Sequence, residues 1–275
     1  MAAKRYLYLF LKLVALVTCL SFMISCGKTA SSDGGGDNTA SVPDSTGMGM
    51  IAYYPFNNSP NDTTGNGHNG FKSNVTSVPD RNGKANSAYS FRGGASYFSI
   101  PDSAPLRLSN TDFTINVWIV VLGFDATDYT NEVVIVKRGS NSGIGWNYSF
   151  KNVSSQSQSY GLTSFEALGG GGSVAIGSRP INSNTWYMLT TTYTYKNNTL
   201  RFYVNGALDN VITGVPMPSA SADAPIYIGR EDPRVVNPAR PFDPFNTLSA
   251  FLDDLRIYGR ALSVAQIKKL FAATN

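Results

Sequence analysis

From residue 50 onward, short stretches of alternating apolar and polar residues are separated by turn-forming residues. Nine of these stretches have the length and the two-residue period of β-strands. They cover residues 51–56, 96–100, 112–121, 132–137, 146–150, 186–195, 200–206, 225–229 and 251–258. Many strands joined by short turns, with no helices alternating between them, predict an antiparallel sandwich of two sheets.

Turn and cap residues refine this prediction. Asn197-Asn198 joins two of the predicted strands, and Asn205-Gly206 fits the type I′ turn of a β-hairpin. Near the C-terminus the apolar period becomes helical, where Ser263 can cap a helix and Gln266 can complete a capping box. We therefore expect a short C-terminal helix that packs on the sandwich. Its apolar face consists of Val264, Ile267, Leu270 and Phe271.

The N-terminus has the pattern of a secretory signal. A basic start is followed by a mainly apolar stretch that ends in Met23-Ile24-Ser25-Cys26. These last four residues resemble a bacterial lipobox, in which the cysteine is lipidated and becomes the first residue of the mature protein. We predict a signal peptide over residues 1–25 and a lipid anchor on Cys26. The alternative is an uncleaved anchor helix over residues 6–24.

A small, polar segment with a glycine run follows, and we interpret residues 26–47 as a flexible tether. The folded domain then covers residues 48–275. Gly27, rather than Asp, follows the lipid site. By resemblance to Gram-negative lipoproteins, this implies no retention in the inner membrane, so we expect an extracytoplasmic protein anchored in the outer membrane.

Composition and charge exclude some classes of partner and of stabilising bond. Hydrophobic residues make up 42% of the chain and aromatic residues 12%, enough for a sizeable core. The formal charge of +4 includes three basic residues in the first 25, and without them 19 basic residues face 18 acidic ones. The sequence therefore predicts no nucleic-acid partner. Both cysteines precede residue 27, so the domain has no disulfide and its core must be sufficient alone.

Several segments in a fixed order resemble the laminin-G-like, concanavalin-A-like jelly-roll family of bacterial surface proteins. They are IAYYPFNNSPNDTTGNGHNG, NSAYSFRGGASYFSIPDS, FTINVWI, NTWYMLTTTYTYKNNTLRFYVNG, PIYIGR and FLDDLRIYGRALSVAQIKKLF. The resemblance covers residues 48–275. It implies an all-β jelly roll of two facing antiparallel sheets, and family members commonly bind glycans or proteins, often with a calcium ion at one edge.

The loop NDTTGNGHNG, residues 61–70, is the candidate calcium site. Calcium prefers six to eight oxygen ligands, and this loop offers a carboxylate, amides and glycines that let carbonyls turn inward. In similar proteins the Asp of this motif and nearby carbonyls bind the metal. The resemblance therefore implies ligands from Asp62, Asn66 and Gly67, with Asp253 from the last strand. A loop of this composition also forms Asx turns without any ion.

Adjacent acids on a strand point to opposite faces of a sheet, so we expect only one of Asp253 and Asp254 to reach a metal. The other acid would pair with Arg256 or Arg260. On the same basis these two acids cannot line one catalytic cleft. None of the three glutamates lies in the Glu-x-Asp-x-x-Glu pattern of concanavalin-like glucanases, so we predict no enzyme activity.

Three regions offer a ligand surface. Trp146 begins the stretch WNYSF, and we predict that it lies at the rim of the fold; the alternative is an ordinary aromatic residue at a strand end. The long loop of residues 231–250 is rich in proline, and loops of this length are usually functional or disordered. His68 is the only histidine and lies in the candidate calcium loop. Besides Trp146 and His68, the candidate ligand-binding residues are Arg240, Phe242 and Phe245 in the long loop.

These observations give three hypotheses of function. The first is a lipid-anchored module that binds a polysaccharide or glycan at a loop edge supported by calcium. The second is a protein-interaction, adhesion or structural subunit of a surface complex, with a surface protein as its partner. The third is a divergent glycan hydrolase or lyase, which would need a cleft with two carboxyl groups roughly 5 to 10 Å apart.

Overall fold

Sixteen strands form two antiparallel sheets of eight strands each, and one α-helix follows them. The computed structural model describes residues 45–93, 95–124, 131–139, 144–151, 160–168, 174–220, 224–233 and 247–273. These residues all belong to the unit that runs from Asp44 to Asn275. The predicted all-β sandwich with a C-terminal helix is confirmed.

Sheet A has the order β14-β13-β12-β6-β16-β4-β3, with β1 also paired to β16. Its strands are β1 (Met50–Tyr54), β3 (Thr76–Val78), β4 (Ala88–Arg92), β6 (Phe113–Val121), β12 (Tyr187–Thr194), β13 (Thr199–Val204), β14 (Ala207–Thr213) and β16 (Ser249–Tyr258).

Sheet B has the order β10-β9-β8-β7-β15-β5-β2, with β11 also paired to β9. Its strands are β2 (Phe71–Ser73), β5 (Tyr97–Ile100), β7 (Asn131–Arg138), β8 (Gly145–Lys151), β9 (Tyr160–Leu168), β10 (Val174–Ile176), β11 (Ile181–Asn182) and β15 (Ile226–Ile228). Turns of 3-10 helix lie at Ser45–Gly47, Ala104–Arg107 and Tyr195–Asn197.

The main core lies between the sheets and is built from alternate strand positions. On β6, Phe113, Ile115, Val117 and Ile119 all point into this core and are fully buried. The residues between them point outward, yet all nine residues of β6 are buried. Strand β6 is therefore covered on both faces, which explains why it contains so few polar residues.

A second apolar cluster covers the outer face of sheet A. Helix α1 (Val264–Ala272) begins with the predicted capping box, in which Ser263 and Gln266 bind each other's backbone N–H groups. Ile267 and Leu270 of the helix pack on this face, and Phe271 stacks on Trp118 with 5.7 Å between ring centroids. Within the described ranges, no helix combines the length and the apolar character needed to cross a membrane.

The turn predictions have two outcomes. Asn205 and Gly206 have φ angles of 51° and 76°, as a type I′ turn requires, so this hairpin is confirmed. The other connection is longer than the two-residue turn that Asn197-Asn198 suggests, because Tyr195–Asn197 forms a turn of 3-10 helix before Asn198. The Ser45–Gly47 turn likewise shows that regular structure begins within the last residues assigned to the tether.

One lysine of strand β7 is fully buried. The ammonium group of Lys137 donates to the carboxylate of Asp102 and to the carbonyl of Ala224. Asp102 also pairs with Arg107 at 2.7 Å, and the Arg107 side chain is 28% exposed. Burial acts to raise the pKa of Asp102, but hydrogen bonds from Arg107 and Lys137 outweigh it and hold that pKa below its ordinary value.

We expect Asp102→Asn to lower the free energy of unfolding by about 3 kcal/mol, because the buried Lys137 charge loses its carboxylate. Since the fold lowers the pKa of Asp102, its stabilisation is complete above the unfolded pKa of about 3.9 and is lost as the pH falls through the folded pKa. Urea unfolding should therefore show that the unchanged chain and Asp102→Asn differ less in free energy of unfolding at acidic pH than at neutral pH.

Arg107→Ala is the control for Asp102→Asn. It removes only the partly exposed cation, so it should lower the free energy of unfolding much less than Asp102→Asn does. Equal losses of stability in the two variants would contradict a special role for the buried lysine.

Candidate ligand-binding sites

The loop between β1 and β2 is organised around the carboxylate of Asp62, which is 9% exposed. One carboxylate oxygen accepts from the backbone N–H groups of Tyr53 at 3.0 Å and Thr64 at 2.9 Å. The other accepts from the N–H of His68 at 3.2 Å, and the Thr64 hydroxyl lies 2.8 Å from both oxygens. Burial acts to raise the pKa of Asp62, but these hydrogen bonds outweigh it and lower the pKa.

Other residues of the loop hold it against strand β1. The amide of Asn66 donates to the carbonyl of Ile51 at 2.8 Å, and the Tyr54 hydroxyl donates to the carbonyl of His68. Gly67 has a φ of 80°, in the left-handed region that favours glycine. Gly70 ends the loop where a Cβ atom would lie 2.0 Å from the ring of Phe98, so no larger residue fits there.

This arrangement does not fit a calcium ion at Asp62. Calcium needs converging oxygens, whereas three backbone N–H groups and a hydroxyl point at the Asp62 carboxylate. Within the described ranges, no three His, Cys, Asp or Glu side chains cluster in a way that could hold a metal ion. The loop instead uses the Asx-turn alternative that its composition allows. We derive no role for calcium, and its presence stays a prediction.

Asp253 and Asp254 do not point to opposite faces of sheet A, so this expectation is wrong. A β-bulge interrupts the pairing of β16 with β6 between Asp253 and Arg256, and Asp254 has a φ of 53°. The extra residue of a bulge breaks the two-residue alternation of side chains. Both carboxylates therefore contact one guanidinium, that of Arg81, with Asp254 at 3.0 Å.

The cluster around these two acids is charged but almost completely buried. Arg256 pairs with Asp254 at 3.1 Å, as predicted, while Arg81 lies 4.5 Å from the centroid of the Trp118 ring. Burial, and then the neighbouring charge of Asp254, raise the pKa of Asp253 to about 7. Asp253 was predicted to join Asp62 at a metal. Because its carboxylate faces the cation of Arg81, the structure gives the two acids separate partners.

The other candidate ligand-binding residues have different outcomes. Trp146 is fully buried and stacks on Phe165 in the main core, so its prediction as a rim residue is wrong. The reason is that Trp146 lies on the inward face of β8, in register with the buried Lys137. His68 contributes its backbone groups to the Asp62 loop. Four further predicted residues lie outside the described residues: Cys26, Arg240, Phe242 and Phe245.

The outer face of sheet B carries an aromatic surface that the sequence analysis did not find. Phe71 of β2 pairs with Ser99 of β5, which pairs with Tyr227 of β15, and Tyr97 lies two residues along β5. The Tyr97 ring lies 6.5 Å from Phe71 and 5.8 Å from Tyr227, while Arg230 lies 5.3 Å from its centroid. Phe71 is 61% exposed. We call Phe71, Tyr97 and Tyr227 the aromatic stripe.

The same face becomes polar and buried on strands β7 to β9. Asn147 and Ser149 of β8 are 2% and 3% exposed, and the Ser149 hydroxyl lies 2.8 Å from that of Ser164 on β9. Arg138 of β7 faces the carboxylate of Glu231 at 3.4 Å. We call Arg138, Asn147, Ser149, Ser164, Glu166 and Glu231 the polar patch.

Glu231 of the polar patch has a raised pKa. Burial is the main cause that raises its pKa, the Arg138 guanidinium opposes it, and the carboxylates of Asp232 and Glu166 add to the increase. Glu166 and Glu231 are thus close enough to influence one another. The sequence does not predict that Glu166 and Glu231 lie close together, because they are 65 positions apart in the chain.

We expect Asp62→Ala to lower the free energy of unfolding by about 2 kcal/mol, because it leaves several loop N–H groups without an acceptor. Thermal unfolding of the unmodified chain should give the same midpoint in excess calcium and in EDTA. Asp80→Ala is the matched control, since Asp80 also accepts two backbone N–H groups, but in an exposed turn. A calcium-dependent midpoint that Asp62→Ala abolishes would contradict this interpretation.

Three solved structures illustrate what the fold resembles. The binding domain of Paraclostridial Mosquitocidal Protein 1 has a TM-score of 0.63 and 18% identity, over 82% of this chain and 52% of that one. The Botulinum neurotoxin serotype G binding domain has a TM-score of 0.60 and 17% identity, over 81% and 50%. This chain thus spans about half the length of these toxin domains. At such identities the likeness shows the fold alone.

The third structure is domain 4 of AbnA, a GH43 extracellular arabinanase from Geobacillus stearothermophilus, in complex with arabinotriose. Its TM-score is 0.57 with 22% identity, over 80% of this chain and 97% of that domain. A search of curated proteins gives no match to this sequence.

A family model supplies the sequence-level match. The model of the laminin-G-like type, described as "Concanavalin A-like lectin/glucanases superfamily", matches residues 92–268. The Asp62 loop precedes this range, so the family match covers Asp253 but not Asp62, Asn66 and Gly67 among the residues carried over as calcium ligands. The matched range is more than half of the chain, which therefore belongs to the concanavalin A-like lectin/glucanase superfamily.

Proposed function

We propose that the folded domain is a non-catalytic binding module that recognises a glycan through the aromatic stripe of sheet B. The single observation that carries this proposal is that Phe71 is exposed beside the half-buried rings of Tyr97 and Tyr227. Phe71 is 61% exposed on the outer face of a sheet whose core-facing residues are buried. Contiguous exposed apolar residues on a soluble domain mark a binding surface.

The chemistry of the stripe suits a sugar. Aromatic faces pack against the C–H groups of sugar rings, while the hydroxyls of Tyr97 and Ser99 can exchange hydrogen bonds with sugar hydroxyls. The rings lie 5.8 and 6.5 Å apart and so form a continuous platform over three strands. The arabinotriose complex of a domain with a similar fold supports the glycan as a ligand class.

A surface protein is the second candidate ligand. Strand β14 ends sheet A, and its side chains Leu208 and Val211 are 49% and 43% exposed. An apolar strand at the end of a sheet can receive a strand from another protein. The glycan proposal is preferred because the aromatic stripe combines ring faces with hydroxyl groups, whereas β14 offers aliphatic contacts.

We expect Tyr97→Ala and Tyr227→Ala each to weaken glycan binding by about tenfold, the equivalent of one aromatic contact. Full-length protein in detergent, applied to a glycan array and then titrated against the best ligand, measures this loss. Tyr195→Ala is the matched control, because Tyr195 is 44% exposed in the 3-10 turn that follows β12 of sheet A.

Unchanged binding in both stripe variants would argue against sheet B as the platform. If no glycan on the array is bound, a surface protein becomes the proposed ligand. Strand β14 would then be the first surface to mutate.

The location of the module is a further part of the proposal. We propose that a lipid on Cys26 anchors it in the outer membrane, with residues after Cys26 as its tether. Cys26→Ser should then abolish incorporation of labelled fatty acid and leave an unprocessed precursor on a gel. Cys19→Ser is the control, because Cys19 lies within the predicted signal peptide. Labelling that persists in Cys26→Ser would contradict the assignment of the anchor.

A further inference from the structure

Two buried polar atoms beside the aromatic stripe have no hydrogen-bond partner within the described part of the chain. They are the Nε atom of Arg138, on strand β7, and the Oδ1 atom of Asn147, on strand β8. Asn147 is 2% exposed, and the Arg138 side chain is 20% exposed. Buried polar atoms in folded proteins are nearly always paired, so an orphaned donor and an orphaned acceptor on one face indicate a missing partner.

Strand register places these two atoms on the same side of sheet B. Asn147 pairs with Val136, and Arg138 lies two residues further along β7. Both side chains point outward, because Trp146 and Tyr148 of β8 point into the core. Diagonal neighbours of this kind have their Cα atoms roughly 7 to 8 Å apart, so one small group could contact both side chains.

The stripe and the orphaned atoms are adjacent. Tyr227 of the stripe pairs with Val136, and Val136 pairs with Asn147, so two strand spacings of about 4.8 Å separate Tyr227 from Asn147. A ligand lying on the stripe can therefore extend a group toward Arg138 and Asn147. Because these atoms are buried, the space suits a single projecting group rather than a whole ring.

The chemistry of the two atoms specifies that group. The Nε atom of Arg138 can only donate a hydrogen bond, and Oδ1 of Asn147 can only accept one. A hydroxyl group satisfies both, because it accepts one hydrogen bond and donates another. Arg138 already pairs with Glu231 at 3.4 Å, and Glu166 lies opposite Asn147 on the same face, so the cation that a uronate would need already has a carboxylate partner.

We infer that Arg138 and Asn147 form a pocket that binds one hydroxyl group of a neutral sugar whose ring lies on the aromatic stripe. This inference rests on the glycan-binding function proposed above. It adds neutral sugars as the ligand class and two polar residues that select them. Arg138 would donate to the hydroxyl oxygen through Nε, and Asn147 would accept the hydroxyl hydrogen through Oδ1. Binding forms these hydrogen bonds and no covalent bond.

The experiment uses the full-length protein and an array of neutral oligosaccharides, arabinotriose included, beside their uronic-acid counterparts. The unchanged chain should prefer the neutral probes. Asn147→Ala and Arg138→Lys should each weaken binding by tenfold or more, because each change removes one of the two hydrogen-bond partners of the sugar hydroxyl. Arg138→Lys keeps the positive charge near Glu231 but removes the Nε donor.

Asn116→Ala is the matched control. Asn116 also has a buried Oδ1 atom without a partner, but it lies on the outer face of sheet A, so glycan affinity should not change. Thermal unfolding of each variant separates loss of the pocket from loss of the fold. Where a variant fails to fold, single-deoxy forms of the best probe test the unchanged chain, and one missing hydroxyl should lower affinity tenfold or more.

The outcomes separate the two proposals. Binding that is strong in the unchanged chain and equally strong in Asn147→Ala and Arg138→Lys would show that the pocket holds only water. That result would overturn this inference and leave the glycan-binding function intact. A preference for the uronic-acid probes would overturn it too. Binding to no glycan would overturn the proposed function, and the inference with it.

Discussion

Apolar burial between the two sheets stabilises this domain without help from any disulfide, because both cysteines precede residue 27. The main core takes residues from both sheets, and many of its large side chains are aromatic. A second cluster beneath helix α1 buries the outer face of sheet A as well. Because the helix covers the central strands of sheet A, the outer face of sheet B is the first surface to consider for a ligand.

Buried charge in the domain is neutralised by internal partners. Asp62 is surrounded by backbone N–H groups, and Asp253 and Asp254 share the guanidinium of Arg81. Lys137 is matched by Asp102. Removing one partner from such a group leaves an uncompensated buried charge, so these residues fix the geometry of the loops and of the bulge. The contacts that the structure shows for these acids are internal ones that hold the fold together.

The outer face of sheet B divides into two regions with different chemistry. The aromatic stripe is accessible and offers ring faces, whereas the polar patch is buried and offers hydrogen-bonding groups. A ligand with apolar ring faces and projecting hydroxyls would match both regions at once. This combination is typical of sugars, and it is the physical basis for assigning a binding role to a chain whose family includes lectins and glucanases.

The sequence by itself determined the class of fold, the strands with strong alternation, the Asn205-Gly206 turn and the capped helix. Each depends on residues close together in the chain, whose periodicity or cap chemistry can be recognised locally. Strand β9, Tyr160–Leu168, was missed because Gly161, Thr163 and Ala167 occupy positions where large apolar residues would have revealed the pattern.

Only the tertiary structure decided where the functional groups lie. The inward direction of Trp146 follows from its register with β7, and the shared contact of Asp253 and Asp254 follows from one extra residue in β16. A shift of one residue reverses the face of every following side chain, and no local pattern revealed the bulge. The aromatic stripe likewise joins residues 71, 97 and 227, which become neighbours only when β2, β5 and β15 pair.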